Sequence, residues 1–270
     1  LGKGVIICQN RVEAEVAIKE MLIENKFAQA GNKIIIEEFL KGKEVSILAF
    51  TDGKTIYPMV SSQDHKRALD NDEGLNTGGM GTFSPSKFYT PQMAKRVFAE
   101  VIIPTIKAME NEGRLFKGVL YFGLMIDGDD IKVLEYNARF GDPETQVVLP
   151  RLKTDLIDIF EAIIDGTLDK INVEWEDNCC VCVILASGGY PEKYQKGVEI
   201  TIGDNLDKDI MLFHAGTKFE NGKLVTNGGR VIGVTAKADT IEQARKIAYA
   251  NVEKIDFKNK HYRKDIGIKL

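Results

Sequence analysis

The chain has 270 residues, 44% of them hydrophobic and 28% charged, with a net charge of −4. That size suits one large domain or two ordinary ones, the acidic balance argues against a general nucleic-acid binder, and no apolar run approaches the length of a membrane span. The sequence opens at LGKGVIICQN with neither an initiator Met nor the apolar core of a signal peptide, so the N-terminal part of a larger protein is expected to be missing.

Residues 4–8 (GVIIC) are a short apolar strand candidate. From 11 to 27, Val12, Val16, Met21, Ile23 and Phe27 recur at helical spacing, which predicts a helix ending before Gly31. Residues 33–40 (KIIIEEFL) and 44–51 (EVSILAFT) read as strands, and Asp52-Gly53 turns the second into TIYPMVSS. The polar, Gly-rich stretch 61–86 predicts a long irregular loop, a feature that is usually functional or disordered. Helical periodicity returns over 91–112. Strands at 117–126 and 131–139 are joined by DGDD, a hairpin turn that lacks the rest of a calcium loop. Asp142 is placed to N-cap the next helix with Pro143 at its first position, and Thr154-Asp155 starts another helix that stops at Gly166. A boundary falls at 170–176. Beyond it come strands at 179–186, 198–202, 210–213 and 231–236, then a helix over 240–254 whose Thr240 and Gln243 resemble a capping box. The four cysteines are Cys8, Cys179, Cys180 and Cys182; C-C-x-C is not a zinc or redox spacing, and CCVCVILAS reads as a buried strand in a reduced, cytoplasmic protein.

The chemistry concentrates in EYNARFGDPETQ, residues 135–146. Alternate residues of a strand share a face, so Glu135, Asn137 and Arg139 project together while Leu134, Tyr136 and Ala138 face the other way. A carboxylate and an amide oxygen suit Mg²⁺, which takes one or two protein ligands and leaves the rest to phosphates and water. A guanidinium one step further can grip a phosphoryl group in a bidentate manner. Asp142-Pro143-Glu144 is either a helix cap or an anion site at a helix N-terminus. In KIIIEEFLKGKE, the spacing of Glu37, Leu40 and Glu44 suits either a nucleotide hinge or solvated glutamates. Lys3 lies between glycines but in no Walker A pattern. The loop SQDHKR…NTGGMG brings Asp64, His65, Lys66 and Arg67 together, and its glycines permit a backbone that wraps a small ligand.

Taken in order, RFGDPETQ (139–146), SSQDHKR (61–67), NTGGMGTFSP (76–85), GGYP (188–191), HAGT (214–217), TNGGRV (226–231) and RKDIG (263–267) resemble the phosphoribosylamine–glycine ligase family of the ATP-grasp superfamily. The resemblance covers essentially the whole chain. It implies an α+β fold: the C-terminal lobe of an ATP-grasp domain, an antiparallel sheet with helices, over residues 1–173, then a smaller α+β domain over 174–270. It implies ATP as a substrate with Mg²⁺ or Mn²⁺, glycine and 5-phosphoribosylamine as further small-molecule substrates, no nucleic-acid or membrane partner, and a monomer in full-length form. By carry-over, Lys3 touches the nucleotide phosphates; Glu37, Phe39 and Leu40 read adenine; and Glu44 takes the ribose, with apolar contact from Met125 and Leu134. Glu135 and Asn137 hold metal, and Arg139 and Lys66 serve the transferring phosphoryl group. Asp64, His65, Asn76, Thr77, Gly78, Gly79, Asp142 and Glu144 bind glycine and the acceptor. Gly123 stands where many ATP-grasp enzymes carry a second metal-binding carboxylate. Alternatives are another ATP-grasp carboxylate–amine ligase, or a nucleotide-binding fragment inactive on its own.

Overall fold

The computed structural model describes residues 4–268. By contacts the chain divides into an N-terminal unit ending at Lys41 and a larger unit beginning at Gly42. Among the described residues no helix is long and apolar enough to cross a membrane.

The N-terminal unit is built on one helix, α1 (Arg11–Leu22). Asn10 caps it by accepting from the Glu13 amide, and Glu13 reaches back to the Gln9 amide at 2.8 Å, so one free N–H of the first turn and the amide just ahead of the cap are satisfied. The helix is shorter than its periodicity predicts, because the chain turns through a positive φ of 51° at Asn25. The strands expected at 4–8 and 33–40 do not form. Apolar composition alone does not make a strand; a ladder partner does, and within this unit neither segment has one. Ile35 and Ile36 remain 82% and 77% exposed.

The larger unit opens with β1 (Lys43–Thr51), β2 (Ile56–Pro58), β3 (Gln63–Asp64), β4 (Arg67–Leu69), β5 (Glu73–Asn76) and β6 (Gly81–Ser84). Helices α2 (Pro91–Val97) and α3 (Ile103–Asn111) follow, joined through a π-type turn. Next come β7 (Gly118–Asp127), β8 (Asp130–Asn137), α4 (Thr145–Val148) and α5 (Leu156–Asp165). The remainder is β9 (Cys179–Ser187), β10 (Thr201–Ile202), β11 (Met211–His214), β12 (Thr217–Glu220), β13 (Lys223–Thr226), β14 (Arg230–Ala238), α6 (Ile241–Val252), β15 (Ile255–Asp256) and β16 (Lys260–His261).

Two antiparallel sheets carry the unit. The first has the order β2-β1-β7-β8. Alternation divides its side chains: Val45, Ile47, Phe122 and Leu124 pack on α2 and α3, while Leu48, Phe50, Val119 and Tyr121 turn to a second core with Val147, Val148 and Ile159. The second sheet has the order β11-β14-β9-β6-β3, with β16 also on β9. Its central strand β9 is buried on both sides, as CCVCVILAS suggests. Cys180, Cys182 and Ile184 join the core behind the first sheet, and Val181, Val183 and Leu185 meet Ala244, Ala248 and Val252 of α6.

Several expectations need correction. Residues 61–86 are not an irregular loop: β3 and β6 lie in the second sheet, β4 and β5 form a hairpin, and Met80, Thr82, Phe83 and Ser84 are fully buried. Strand β8 ends at Asn137 rather than at 139. Its ladder to β7 pairs Leu124 with Val133 but Gly123 with Glu135, leaving Leu134 as the extra residue of a bulge. Before the bulge Ile131 and Val133 pack toward the helices; after it, Tyr136 does so, and Glu135 and Asn137 take the other face. Asp142 does not cap the next helix. The Asp142–Pro143 peptide is cis, the helix begins at Thr145 with Glu144 in the cap position, and the Asp142 carboxylate is engaged by Gln146 and Arg230 instead. Helices α5 and α6 match expectation, with Asp155 and Thr240 as caps.

Candidate active site

The register of the first sheet builds one polar face. Glu44 of β1 stands opposite Met125, Ser46 opposite Gly123 and Glu135, and Leu48 opposite Tyr121 and Asn137. Facing pairs in an antiparallel ladder share a side, so Glu44, Ser46, Tyr121, Glu135 and Asn137 point together. Gly123 keeps this row open: a Cβ there would lie 3.1 Å from Glu135 Cγ and 3.3 Å from the Tyr121 ring.

Lys66 reaches across this face. Its Nζ is 3.8 Å from Glu44 and 3.8 Å from Glu135. Burial pulls the ammonium's pKa down, but Glu44, Asp64, Glu144 and Glu135 outweigh it and the net shift is upward. Lys66 therefore stays charged between Glu44 and Glu135, with Asp64 and Glu144 as further acidic neighbours. The hairpin after it closes on itself, since the Thr77 amide and hydroxyl both donate to the Lys66 carbonyl at 2.8 Å. Thr77 Oγ1 then accepts from the Gly79 amide at 3.0 Å.

Asp64 lies beneath Lys66. Its Oδ1 is sequestered and accepts no hydrogen bond among the described residues. Burial first, then the nearby Glu144, raises its pKa well above the carboxylate range despite Lys66. At Gly79 (φ 116°) a Cβ would come within 2.7 Å of Asp64 Oδ1 and 2.4 Å of Pro143, so only glycine allows this approach. Glu144 is 4% exposed and accepts from the Ser46 and Tyr121 hydroxyls at 3.0 and 3.1 Å. Burial and that carboxylate hold Tyr121 protonated.

The other expected residues are less central. His65 is 6% exposed, packs on Phe83, and is pulled down to about 4 by burial and then by Arg263. It is a neutral core group. Asn76 is exposed at the end of β5. Arg139 lies past the end of β8, where its guanidinium donates to the Phe140 carbonyl at 2.7 Å and reaches Asn137 Oδ1 at 3.5 Å. Glu37, Phe39 and Leu40 belong to the N-terminal unit, with Glu37 and Phe39 exposed. Lys3 lies outside the described residues. Among the described residues no cluster of three or more His, Cys, Asp or Glu forms a ready-made metal cage.

Four participants were not singled out by sequence. Ser46 and Tyr121 orient Glu144, and the only prior hint was a hydroxyl inside each of two apolar strands. Arg230 donates to the Gly78 carbonyl at 2.7 Å and the Asp142 carbonyl at 2.8 Å, and it pairs with the Asp142 carboxylate at 2.8 Å. Tyr190 accepts from the Gly78 amide at 3.0 Å. Both belong to motifs that carried the resemblance, TNGGRV and GGYP, yet their spacing gave no role.

Known proteins resemble this chain along almost its whole length. Residues 1–145 fit the phosphoribosylglycinamide synthetase ATP-grasp (A) domain, and residues 180–269 fit the C domain of the same synthetase. The phosphoribosylamine–glycine ligase of Halalkalibacterium halodurans is 47% identical over 268 residues, covering 99% of this chain and 62% of that protein. A bifunctional purine biosynthetic protein of Pichia angusta is 49% identical over 98% of this chain and 34% of its own length. Among solved structures, the phosphoribosylamine–glycine ligase of Thermotoga maritima superposes with a TM-score of 0.86 at 35% identity, over 98% of this chain and 66% of that one. The biotin carboxylase domain of Hydrogenobacter thermophilus 2-oxoglutarate carboxylase, solved with magnesium ADP and bicarbonate, gives a TM-score of 0.70 at 15% identity, over 96% of this chain and 55% of that one; it is alike in fold alone. The chain thus spans less than two thirds of the length of these relatives. With both halves of the sequence matched in order, the chain belongs to the phosphoribosylglycinamide synthetase family.

Proposed function

We propose that this chain supplies the phosphoryl-transfer face of a phosphoribosylamine–glycine ligase. The observation that carries the reading is the Lys66 ammonium standing 3.8 Å from both Glu44 and Glu135 on the polar face of the ATP-grasp sheet. The donors fit a divalent cation: the face carries excess negative charge, and an ammonium already occupies a cation's place between two carboxylates. Glu135 and Asn137 would hold Mg²⁺ or Mn²⁺, which when bound neutralises charge on phosphate oxygens.

In this reading the glycine carboxylate attacks the γ-phosphorus of ATP and ADP leaves, giving glycyl phosphate. The amine of 5-phosphoribosylamine then attacks the acyl carbon, phosphate departs, and the amine gives up a proton. The protein positions and neutralises charge rather than reacting covalently. Lys66, freed from its carboxylates, meets the transferring phosphoryl group, and Arg139 swings from the Phe140 carbonyl to do the same. Glu44 takes the ribose; in the N-terminal unit, Lys3, Glu37, Phe39 and Leu40 are the residues that the family resemblance assigns to the nucleotide. Asp64 and the Thr77–Gly79 backbone receive glycine and the acceptor, and Asn76, Asp142 and Glu144 shape that pocket, with His65 as its packed floor. The division proposed at 173/174 lies between the two matched stretches, residues 1–145 and 180–269. The protein works on small molecules as a cytoplasmic monomer, a setting compatible with four free cysteines.

Oxygen tracing tests the chemistry. Glycine labelled with ¹⁸O in its carboxylate must pass one labelled oxygen to the released phosphate, seen as an upfield shift in the ³¹P spectrum. Unlabelled phosphate, or ATP consumption that proceeds equally without glycine, would overturn the reading.

A further inference from the structure

The last strand and tail of the chain grip the hairpin that follows Lys66. Arg263 is fully buried. Its guanidinium meets Asp265 through two bonds of 2.7 Å, Asp72 at 2.9 Å and the Arg67 carbonyl at 3.1 Å. Asp265 in turn accepts from the Asn71 amide at 2.9 Å, and Asp70 accepts from the Lys264 amide at 2.7 Å. His261 Nε2 lies 2.7 Å from the Ala68 carbonyl. The tail itself is anchored on α6: Tyr249 donates to the Arg263 carbonyl at 2.6 Å, and Arg245 to the carbonyls of Lys264 and Ile266 at 2.6 and 3.0 Å.

The gripped hairpin tip is a conformation the chain does not hold by itself. Asn71 and Asp72 have successive positive φ values of 60° and 57°. Two adjacent non-glycine residues in the left-handed region each carry a cost that surrounding contacts must offset. Those contacts are the Asp265 carboxylate on the Asn71 amide and the Arg263 guanidinium on the Asp72 carboxylate. At its other end the hairpin closes on the Lys66 carbonyl through Thr77.

We infer that Arg263, with Asp265, is a positioning residue that sets Lys66 between Glu44 and Glu135 by fixing the far end of the 67–76 hairpin. The inference rests on Lys66 belonging to the working face, but its geometry does not require the ligase reaction. Arg263 touches none of the reacting groups; it acts through the hairpin.

The test follows the lysine rather than turnover. Lys66 acylation by acetic anhydride at pH 8 is read peptide by peptide in the full chain, with amide hydrogen exchange in parallel. In Arg263→Lys, Lys66 modification rises about tenfold as the carboxylates lose it, and exchange at Thr77 and Met80 rises at least as much. Lys237, paired with Glu176, and the amides of β9 stay as in wild type. Asp72→Asn spares the Arg263–Asp265 pair and changes a half-exposed group, so it folds even where Arg263→Lys does not; it moves both readouts the same way by several-fold. Wild-type Lys66 and hairpin behaviour in the folded variants overturns the inference. So does loosening of β9 in step with the hairpin, which marks a merely structural role. Intact coupling in a protein that shows no ¹⁸O transfer would end the ligase reading and leave the positioning role standing.

Discussion

At the residue scale the site is built from groups whose charge states differ from their ordinary ones. Asp64 keeps its proton to higher pH in the fold than in the unfolded chain, which loses it above the ordinary value of 3.8. Its contribution to stability therefore falls as pH rises from 3.8 through the raised folded value. Asp64→Asn is expected to raise the urea midpoint relative to wild type, more at pH 8 than at pH 5, while abolishing turnover; an unchanged midpoint at pH 8 would remove the argument. His65 has the opposite slope. Its folded value of about 4 lies below the ordinary 6.5, so the unfolded chain binds the proton first and stability is lost as pH falls from 6.5 to 4. The full effect is about 3 kcal/mol. His65→Phe, beside Phe83, should lose less stability than wild type between pH 7 and pH 4 by about that amount, measured by urea unfolding at the two pH values. Sequence brought Asp64, His65 and Lys66 together as neighbours. It did not show that one is an acceptor without a donor, one a core ring and one a cation among carboxylates, because those differences arise from residues such as Glu144 and Arg263 far along the chain.

At the element scale the first sheet separates chemistry from packing. Glu135→Ala should abolish metal-dependent turnover and change stability by less than about 0.5 kcal/mol, since it removes a half-exposed side chain. Tyr136→Ala, on the helix side, loses an edge-on contact with Phe122 at 5.6 Å and a hydroxyl bond to Thr105 at 3.0 Å. Because Tyr136 remains 48% exposed, the loss is about 1–2 kcal/mol, read by thermal melting, with turnover largely kept. The bulge makes a sharper case. Deleting Leu134 would restore the regular ladder while leaving Ile131, Val133 and Tyr136 on the helix side and Glu135 and Asn137 on the polar face, so the variant should still fold, with a loss of no more than about 3 kcal/mol read by thermal melting; a deletion variant that does not fold would show that the bulge itself is required. Period-two and helical patterns made β1, the β7–β8 hairpin, α5 and α6 legible. The bulge was not, because register belongs to the pair and not to the strand. Strands β3 to β6 were equally hidden: in a polar, Gly-rich sequence the extended backbone is selected by distant partners such as β9. GVIIC and KIIIEEFL mark the converse failure, being strand-like in composition without a ladder.

At the scale of the whole molecule the segments on either side of residues 170–176 share one sheet. Strands β3 and β6 complete a layer whose other members all follow residue 178. A fragment of residues 174–270 would present the edge of β9 and the apolar side of Cys180, Cys182 and Ile184 to water. Expressed alone, it should show no cooperative melting transition; a sharp transition with native strand content would contradict this. The same closure keeps the Cys182 thiol inert: burial pushes it up to about 12, so thiol reagents should find it only after unfolding. The shared sheet also sets a clock on biosynthesis. At ~5–20 residues per second, the roughly 100 residues between Ser84 and its partner Cys180 take on the order of 5 to 20 s to emerge from the ribosome. For that interval the hairpin after Lys66 is already synthesised but has neither its neighbouring strand nor its C-terminal clasp, so the nascent chain passes through a window in which a sheet edge stands open.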